Sequence, residues 1–244
     1  MKLRMCFVAA AFIALFGLGV ATAQADLVWN LTNDFSTTSS QNGVWSYGRG
    51  SGHVAFSQAG VFEDWGANRP GAETAPGLGA WEPAAGNYDP SVTYNSSNVP
   101  VSAFGFTWAA HTVALDAFTA DGPWSEYTSG YADVRFTAPA DGVYDLSFTY
   151  TDLAGTDTGA QFWRQIPGAQ GTKDQWVDAG GGASGTYSET GITLSAGQSI
   201  DVLVTGSTVA QFDMTVSTVP EPGTLLLLAS GLIGLAVYAR RKRK

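Results

Sequence analysis

Positive charge is the first thing this sequence lacks. Of twelve Lys and Arg residues, Lys2 and Arg4 lie near the N-terminus and five more form the terminal "RRKRK". The long stretch from Asp26 to Val219 keeps only Arg49, Arg69, Arg135, Arg164 and Lys173 against twenty Asp and Glu residues, a net charge of −15. A body this acidic repels phosphate backbones, which excludes nucleic acid as a partner. Cysteine is almost absent too. Cys6 precedes the first apolar run, so the rest of the chain has no disulfide, thiolate nucleophile or Cys-based metal site. Two histidines, His53 and His111, cannot make a three-His metal centre. There is no G-x-S-x-G, Walker or H-E-x-x-H motif, and "GRGSGH" lacks the strand–loop–helix setting of a dinucleotide loop. Helical periodicity is missing between Asp26 and Val219.

The two ends differ from this body. "MKLRMCFVAAAFIALFGLGVATAQA" has an n-region with two cations, an apolar run from Phe7 to Val20, and small residues at Ala21, Ala23 and Ala25. That pattern reads as a secretory signal peptide over residues 1–25, cut by signal peptidase after Ala23 or Ala25. At the other end, Thr224 to Ala239 would be about 24 Å long as a helix, slightly short of a bilayer core. Val219-Pro220-Glu221-Pro222-Gly223 bars its extension backwards, because each proline removes a donor and holds its predecessor extended. The cation run after the span predicts a cytoplasmic C-terminus with the acidic body outside.

"VPEPGTLLLLASGLIGLAVYARRKRK" resembles the PEP-CTERM sorting signal of exported bacterial proteins: the motif Pro220, Glu221, Pro222, a short transmembrane helix and a basic tail. The resemblance implies recognition by an exosortase-type membrane protease that processes the chain near the motif. It also implies a protein that crosses the inner membrane, is transiently anchored, and ends at the cell surface or in the extracellular matrix. Residues 218–244 are read as this signal.

Residues 26–217 read as one all-β domain. In "VYDLSFTY", Tyr144, Leu146, Phe148 and Tyr150 share one face of a strand, and in "YADVRFTAP" Ala132, Val134 and Phe136 do the same. "ADG" (Ala140–Gly142) then predicts a hairpin-like connection between these two strands. "SIDVLVTG" and "QFDMTVS" alternate in the same way and read as closing strands, while "AQFWRQIPG" and "ETGITLSAG" supply two more. "QNGVWSYGRGSGHVAFSQAG" predicts a strand, a glycine-rich loop and another strand. Asn68 to Pro90, with four prolines and four glycines, predicts a long structured loop. These elements point to an antiparallel β-sandwich of jelly-roll type. The "TAPADGVYDLSFTY" stretch is similar to jelly-roll carbohydrate-binding modules, in which a Pro-x-x-Gly-x-Tyr turn joins two core strands.

Candidate sites follow from residue type. All eight tryptophans lie in the acidic body, and Trp45, Trp65, Trp81 and Trp124 sit in or beside Gly/Pro-rich stretches. Flat aromatic faces flanked by carboxylates and amides are what a pyranose needs, so these four are the candidate glycan-binding aromatics for an extracellular polysaccharide. Loops such as "VFEDWGANRP" would supply both kinds of group. The competing reading has the rings filling the core. Asp152 and Asp157 in "TDLAGTDTG", with Asp213, are weak candidates for a structural Ca²⁺, against the simpler reading of a solvated turn. Glu63, Glu82 and Glu126 are the carboxylates a glycosidase pair would use. The expectation is a non-catalytic surface module that binds or organises exopolysaccharide, with a polysaccharide hydrolase or a ligand-free matrix scaffold as alternatives.

Overall fold

The structure is a computed structural model that describes residues 27–51, 55–64, 75–82, 90–103, 105–117, 130–153, 159–165, 173–181, 184–205, 208–219, 231–233 and 240. Val28–Thr218 forms one compact unit. Its strands run in chain order as β1 (Val28–Asn30), β2 (Gln41–Asn42), β3 (Trp45–Ser51), β4 (Ala55–Gln58), β5 (Val61–Asp64) and β6 (Leu78–Glu82). There follow β7 (Ser91–Asn95), β8 (Val101–Ala103), β9 (Phe106–Trp108), β10 (Thr112–Ala117) and β11 (Gly130–Thr137). The last are β12 (Gly142–Asp152), β13 (Gly159–Gln165), β14 (Lys173–Gly181), β15 (Ser184–Leu194), β16 (Ser199–Thr205) and β17 (Thr208–Thr218).

Every pairing is antiparallel. One sheet runs β15-β12-β17-β10-β7-β6-β5, with β1 added to β17, and the other runs β14-β13-β16-β11-β3-β2, with β4 added to β3. The facing sides interdigitate into one core. Tyr144, Leu146, Phe148 and Tyr150 of β12 and Phe212, Met214 and Val216 of β17 come from the first sheet. Trp45 and Tyr47 of β3, Val134 and Phe136 of β11, and Ile200, Val202 and Val204 of β16 come from the second. Period-2 alternation in the sequence thus becomes the inner faces of an antiparallel sandwich, as expected. A second, smaller cluster lies on the back of the first sheet, where Ala103 and Trp108 of the β8–β9 hairpin cover Leu78, Ala80, Ala114 and Val209.

Two expectations are corrected. The "ADG" turn does not make a hairpin, because β11 pairs with β3 and β16 while β12 pairs with β15 and β17. The turn instead carries the chain from one sheet to the other. Alternation specifies which face is buried but not which neighbour a strand takes, and both geometries fit the pattern. The arch is held by the Tyr144 hydroxyl, which donates to the Ala140 carbonyl at 2.7 Å, and by Asp141, whose carboxylate accepts from the Ala196 amide at 2.8 Å. This is a tyrosine-corner device. Within the Asn68–Pro90 stretch, residues 78–82 form β6, buried along its whole length. A strand covered on both faces shows no alternation, which hid it in the sequence.

Residues 1–25, Pro220, Glu221 and Pro222 lie outside the described residues, so the signal peptide and the sorting motif have no structural account here. Gly231–Ile233 and Arg240 are helical. Among the described residues no helix is long and apolar enough to cross a membrane.

Candidate functional site

The candidate glycan-binding tryptophans divide. Trp45 is 1% exposed and packs edge-on against Phe136 with ring centroids 5.5 Å apart, while its Nε1 donates to Asp34 Oδ2 at 3.1 Å. Trp81 is 6% exposed and its Nε1 donates to the Ser36 carbonyl at 2.7 Å. Neither offers a free ring face, so both belong to the core, where their large apolar area is worth most. Trp65 and Trp124 lie outside the described residues. Of the calcium candidates, Asp152 is buried on the core side of β12, whereas Asp213 is exposed on the outer side of β17 opposite Thr149. The register therefore puts these two carboxylates on opposite faces of one sheet, where they cannot share an ion. Asp157 lies outside the described residues. Among the described residues no group of three or more potential metal ligands comes together.

Of the remaining polar candidates, Glu82 is fully buried, and Glu126 and His53 lie outside the described residues. His111 is exposed in a turn at φ 50°, with Nε2 2.7 Å from Asn98 Oδ1.

Among the described residues, a cleft of about 300 Å³ lies at the end of the first sheet, lined by Thr37, Phe62, Asp64, Gly77, Leu78, Gly79, Tyr94 and Ser96. Its size is at the small end for a small-molecule site. The register explains its shape. Gly79 stands opposite Asp64 on one side and Tyr94 on the other, so the middle strand carries no side chain between them. That leaves a slot two strand spacings wide, about 9.5 Å from backbone to backbone. Gly77, which turns the chain into β6 at φ +93°, is fixed by sterics, since a Cβ there would meet Ser97 Cβ at 2.9 Å.

Its aromatic walls are held by rings behind them. Tyr94 stacks on Phe35 at 4.6 Å and 22°, Phe35 contacts Tyr47 at 4.5 Å, Tyr47 stacks on Trp81 at 6.4 Å, and Trp81 meets Phe62 edge-on at 5.3 Å. Phe62 and Tyr94, both half-buried, are the two ends of this five-ring array that reach the cleft. Rings locked in this way lose little freedom when a ligand stacks on them. Ser36 ties the neighbouring loop to the same array: its carbonyl accepts from Trp81 and its amide donates to the Tyr47 hydroxyl at 3.2 Å. Thr37 is thereby carried to the rim. Trp81 is thus a positioning residue for the cleft.

Burial keeps both tyrosines of the array protonated. The Tyr94 phenol is pushed up by desolvation, and the Tyr47 phenol much further by deeper desolvation, opposed by the Ser36 hydrogen bond and helped by the nearby Asp34. At neutral pH the described residues of the cleft therefore offer two apolar ring surfaces, neutral hydroxyls at Thr37, Ser96 and Tyr94, and the carboxylate of Asp64. That combination can stack a sugar ring and accept from its hydroxyls.

The C-terminus carries its own signal. Residues 218–244 match the PEP-CTERM protein-sorting motif. The sorting motif marks the chain for export and for processing by an exosortase-type protease. No curated protein matches the chain.

Among solved structures, the chain is similar to the CBM22-1 xylan-binding domain from Paenibacillus barcinonensis Xyn10C, at TM-score 0.32 and 11% identity, covering 66% of this chain and 94% of that one. It is also similar to a family 35 carbohydrate binding module from Clostridium thermocellum, at TM-score 0.26 and 13% identity, covering 58% and 88%. A third likeness is to the Arthrobacter globiformis T6 isomalto-dextranase complexed with panose, at TM-score 0.31 and 16% identity, over 71% of this chain. The chain spans only 23% of that enzyme's length. At such scores these likenesses carry nothing about a ligand or its site.

Proposed function

We propose that this is an exported, non-catalytic cell-surface or matrix protein whose sandwich binds extracellular polysaccharide at the Phe62–Tyr94 cleft. In this reading signal peptidase removes residues 1–25, and an exosortase-type protease trims the chain near Pro220-Glu221-Pro222 once the sorting helix has held it in the membrane. The observation that carries the binding part is the cleft itself: two half-buried rings, fixed from behind by Phe35, Tyr47 and Trp81, flank a glycine-floored slot with hydroxyls and one carboxylate at hand. The sorting motif supports the place of action, since it implies export, and an extracellular polysaccharide is met only outside the cell.

Affinity electrophoresis through gels cast with purified exopolysaccharide tests the binding part. Retardation of the wild-type protein, and at least about tenfold weaker retardation of Tyr94→Ala and Phe62→Ala variants that still melt cooperatively, is the expected result. Equal migration with and without polysaccharide would remove the binding reading. Equal migration together with self-association in solution would favour a matrix scaffold in its place.

A further inference from the structure

We infer that the cleft is a blind trench that takes the terminal sugar of a polysaccharide chain and does not admit an internal one. This deepens the proposed function and rests on glycan binding at the cleft. The shape follows from which inward positions of β6 carry a side chain. Side chains alternate along a strand, so Gly79 and Trp81 are successive positions on the same face. At Gly79, between Asp64 and Tyr94, the middle of the row is vacant, whereas one row further in, between Phe62 and Val92, it is filled by the buried indole of Trp81. That indole cannot swing aside. Tyr47 stacks on it at 6.4 Å, Phe62 meets it edge-on at 5.3 Å, and its Nε1 donates to the Ser36 carbonyl at 2.7 Å. It forms the closed end of the trench. The other end lies at Gly77, where the Ser96 amide and hydroxyl both donate to the Gly77 carbonyl, at 2.8 and 3.1 Å, and pin the wall in place. An internal sugar has a neighbour on each side and needs a trench open at both ends; a terminal sugar has a neighbour on one side only. The terminal sugar also keeps a hydroxyl that an internal one has lost to the next linkage. Thr37 stands beside the closed end, because Ser36 is bonded to the indole there, and its hydroxyl is placed to pair with that extra group. A volume of about 300 Å³ admits about two sugar rings, so recognition ends with the first two residues of the chain.

The test is saturation-transfer difference NMR of the purified full chain with linear di-, tri-, tetra- and hexasaccharides of the α-1,6-gluco, β-1,4-galacto, β-1,4-xylo and β-1,4-manno series, and with a partial hydrolysate of the purified exopolysaccharide. In at least one series the protons of one terminal residue should take up most of the saturation, and the dissociation constant should change by less than about threefold from the trisaccharide to the hexasaccharide. Thr37→Val should weaken binding in that series by about three- to tenfold, and Tyr94→Ala by at least about tenfold, in variants that still melt cooperatively. Saturation spread evenly along the hexasaccharide, or affinity that keeps climbing up to it, overturns the chain-end inference and leaves glycan binding standing. A terminal pattern that Tyr94→Ala leaves unchanged puts the sugar elsewhere and overturns the inference too. Saturation transfer to none of the series and none of the hydrolysate overturns the glycan-binding reading and this inference with it.

Discussion

The Arg135 guanidinium grips the Asp201 carboxylate across neighbouring strands, Nε to Oδ1 at 2.5 Å and Nη2 to Oδ2 at 2.7 Å. Asp201 is 2% exposed, so the pair is largely desolvated. Burial works against the guanidinium's charge, but the Asp201 hydrogen bonds and the charges of Asp201 and Asp133 outweigh it and hold the Arg135 pKa above its ordinary value. Truncating Arg135 strands a buried carboxylate, which typically costs about 3–5 kcal/mol. Arg135→Ala should therefore lower the midpoint of thermal unfolding by on the order of 10 °C, whereas Arg135→Met with Asp201→Leu should recover most of the loss. Differential scanning calorimetry of the three proteins reads this directly. A double variant as unstable as Arg135→Ala would show that the ion pair is not what the site needs.

A second prediction concerns the N-terminal strand. Asp213 accepts from Asn30 Nδ2 at 3.1 and 3.3 Å and from Thr32 Oγ1 at 2.9 Å, tying β1 and the following turn to β17. These bonds are exposed, so Asp213→Ala should cost only about 1 kcal/mol overall. The loss should be local. Hydrogen exchange at residues 28–34 should speed up severalfold while amides of β12 and β16 stay protected.

Gly185 offers a third. It lies opposite Tyr150 in the β12–β15 ladder, and a Cβ on it would stand 2.7 Å from Tyr150 Cε1 and 2.8 Å from Cζ and the hydroxyl oxygen. Tyr150 is 2% exposed and embedded in the core, so it cannot swing aside cheaply. Gly185→Ala should destabilise the sandwich by about 1–3 kcal/mol by denaturant titration, despite the helpful loss of chain entropy expected at an unstrained glycine. Unchanged stability would mean that the ring relaxes freely.

The tyrosines predict a pH dependence. Tyr47, Tyr94 and Tyr144 all have phenols raised above the ordinary tyrosine value of 10.0, first of all by burial. In the unfolded chain these groups lose their protons near the ordinary value, whereas in the fold they keep them. Above that value the folded state binds more protons, so stability falls as pH rises. Unfolding free energy should hold level from neutral pH to about 9 and then drop through the range above 10. Absorbance at 295 nm should show these tyrosines ionising only as the circular dichroism of the sandwich is lost.

Much of the fold was legible because its central strands each expose one face. β11, β12, β16 and β17 alternate cleanly, and their inward residues are the ones the core uses. The pattern was silent where both faces are covered, as in β6, and ambiguous where a turn could lead to either sheet, as at Ala140–Gly142. The site was legible only in part. "VFEDWGANRP" reads as a loop presenting Trp65, which lies outside the described residues; its first four residues form β5, and the sequence does not single out the Phe62 and Asp64 of that strand that line the cleft. Tyr94 and Gly79 gave no signal either, since their roles come from strands that meet only through long-range pairing. Trp45 and Trp81 were conspicuous by type, but a tryptophan's size draws it to the core as strongly as to a sugar.

The pairing of β1 and β17 has a mechanical consequence. Val28 lies opposite Ser217, so the two ends of the sandwich leave it side by side. β17 itself runs between β12, with nine paired residues, and β1 with β10 on its other edge. Any tether that pulls on Thr218 along the strand loads these bonds together in shear rather than unzipping them singly. A domain that must hold a polymer against flow would resist through a strand paired along both of its edges, and would give way only when both flanking ladders slipped at once.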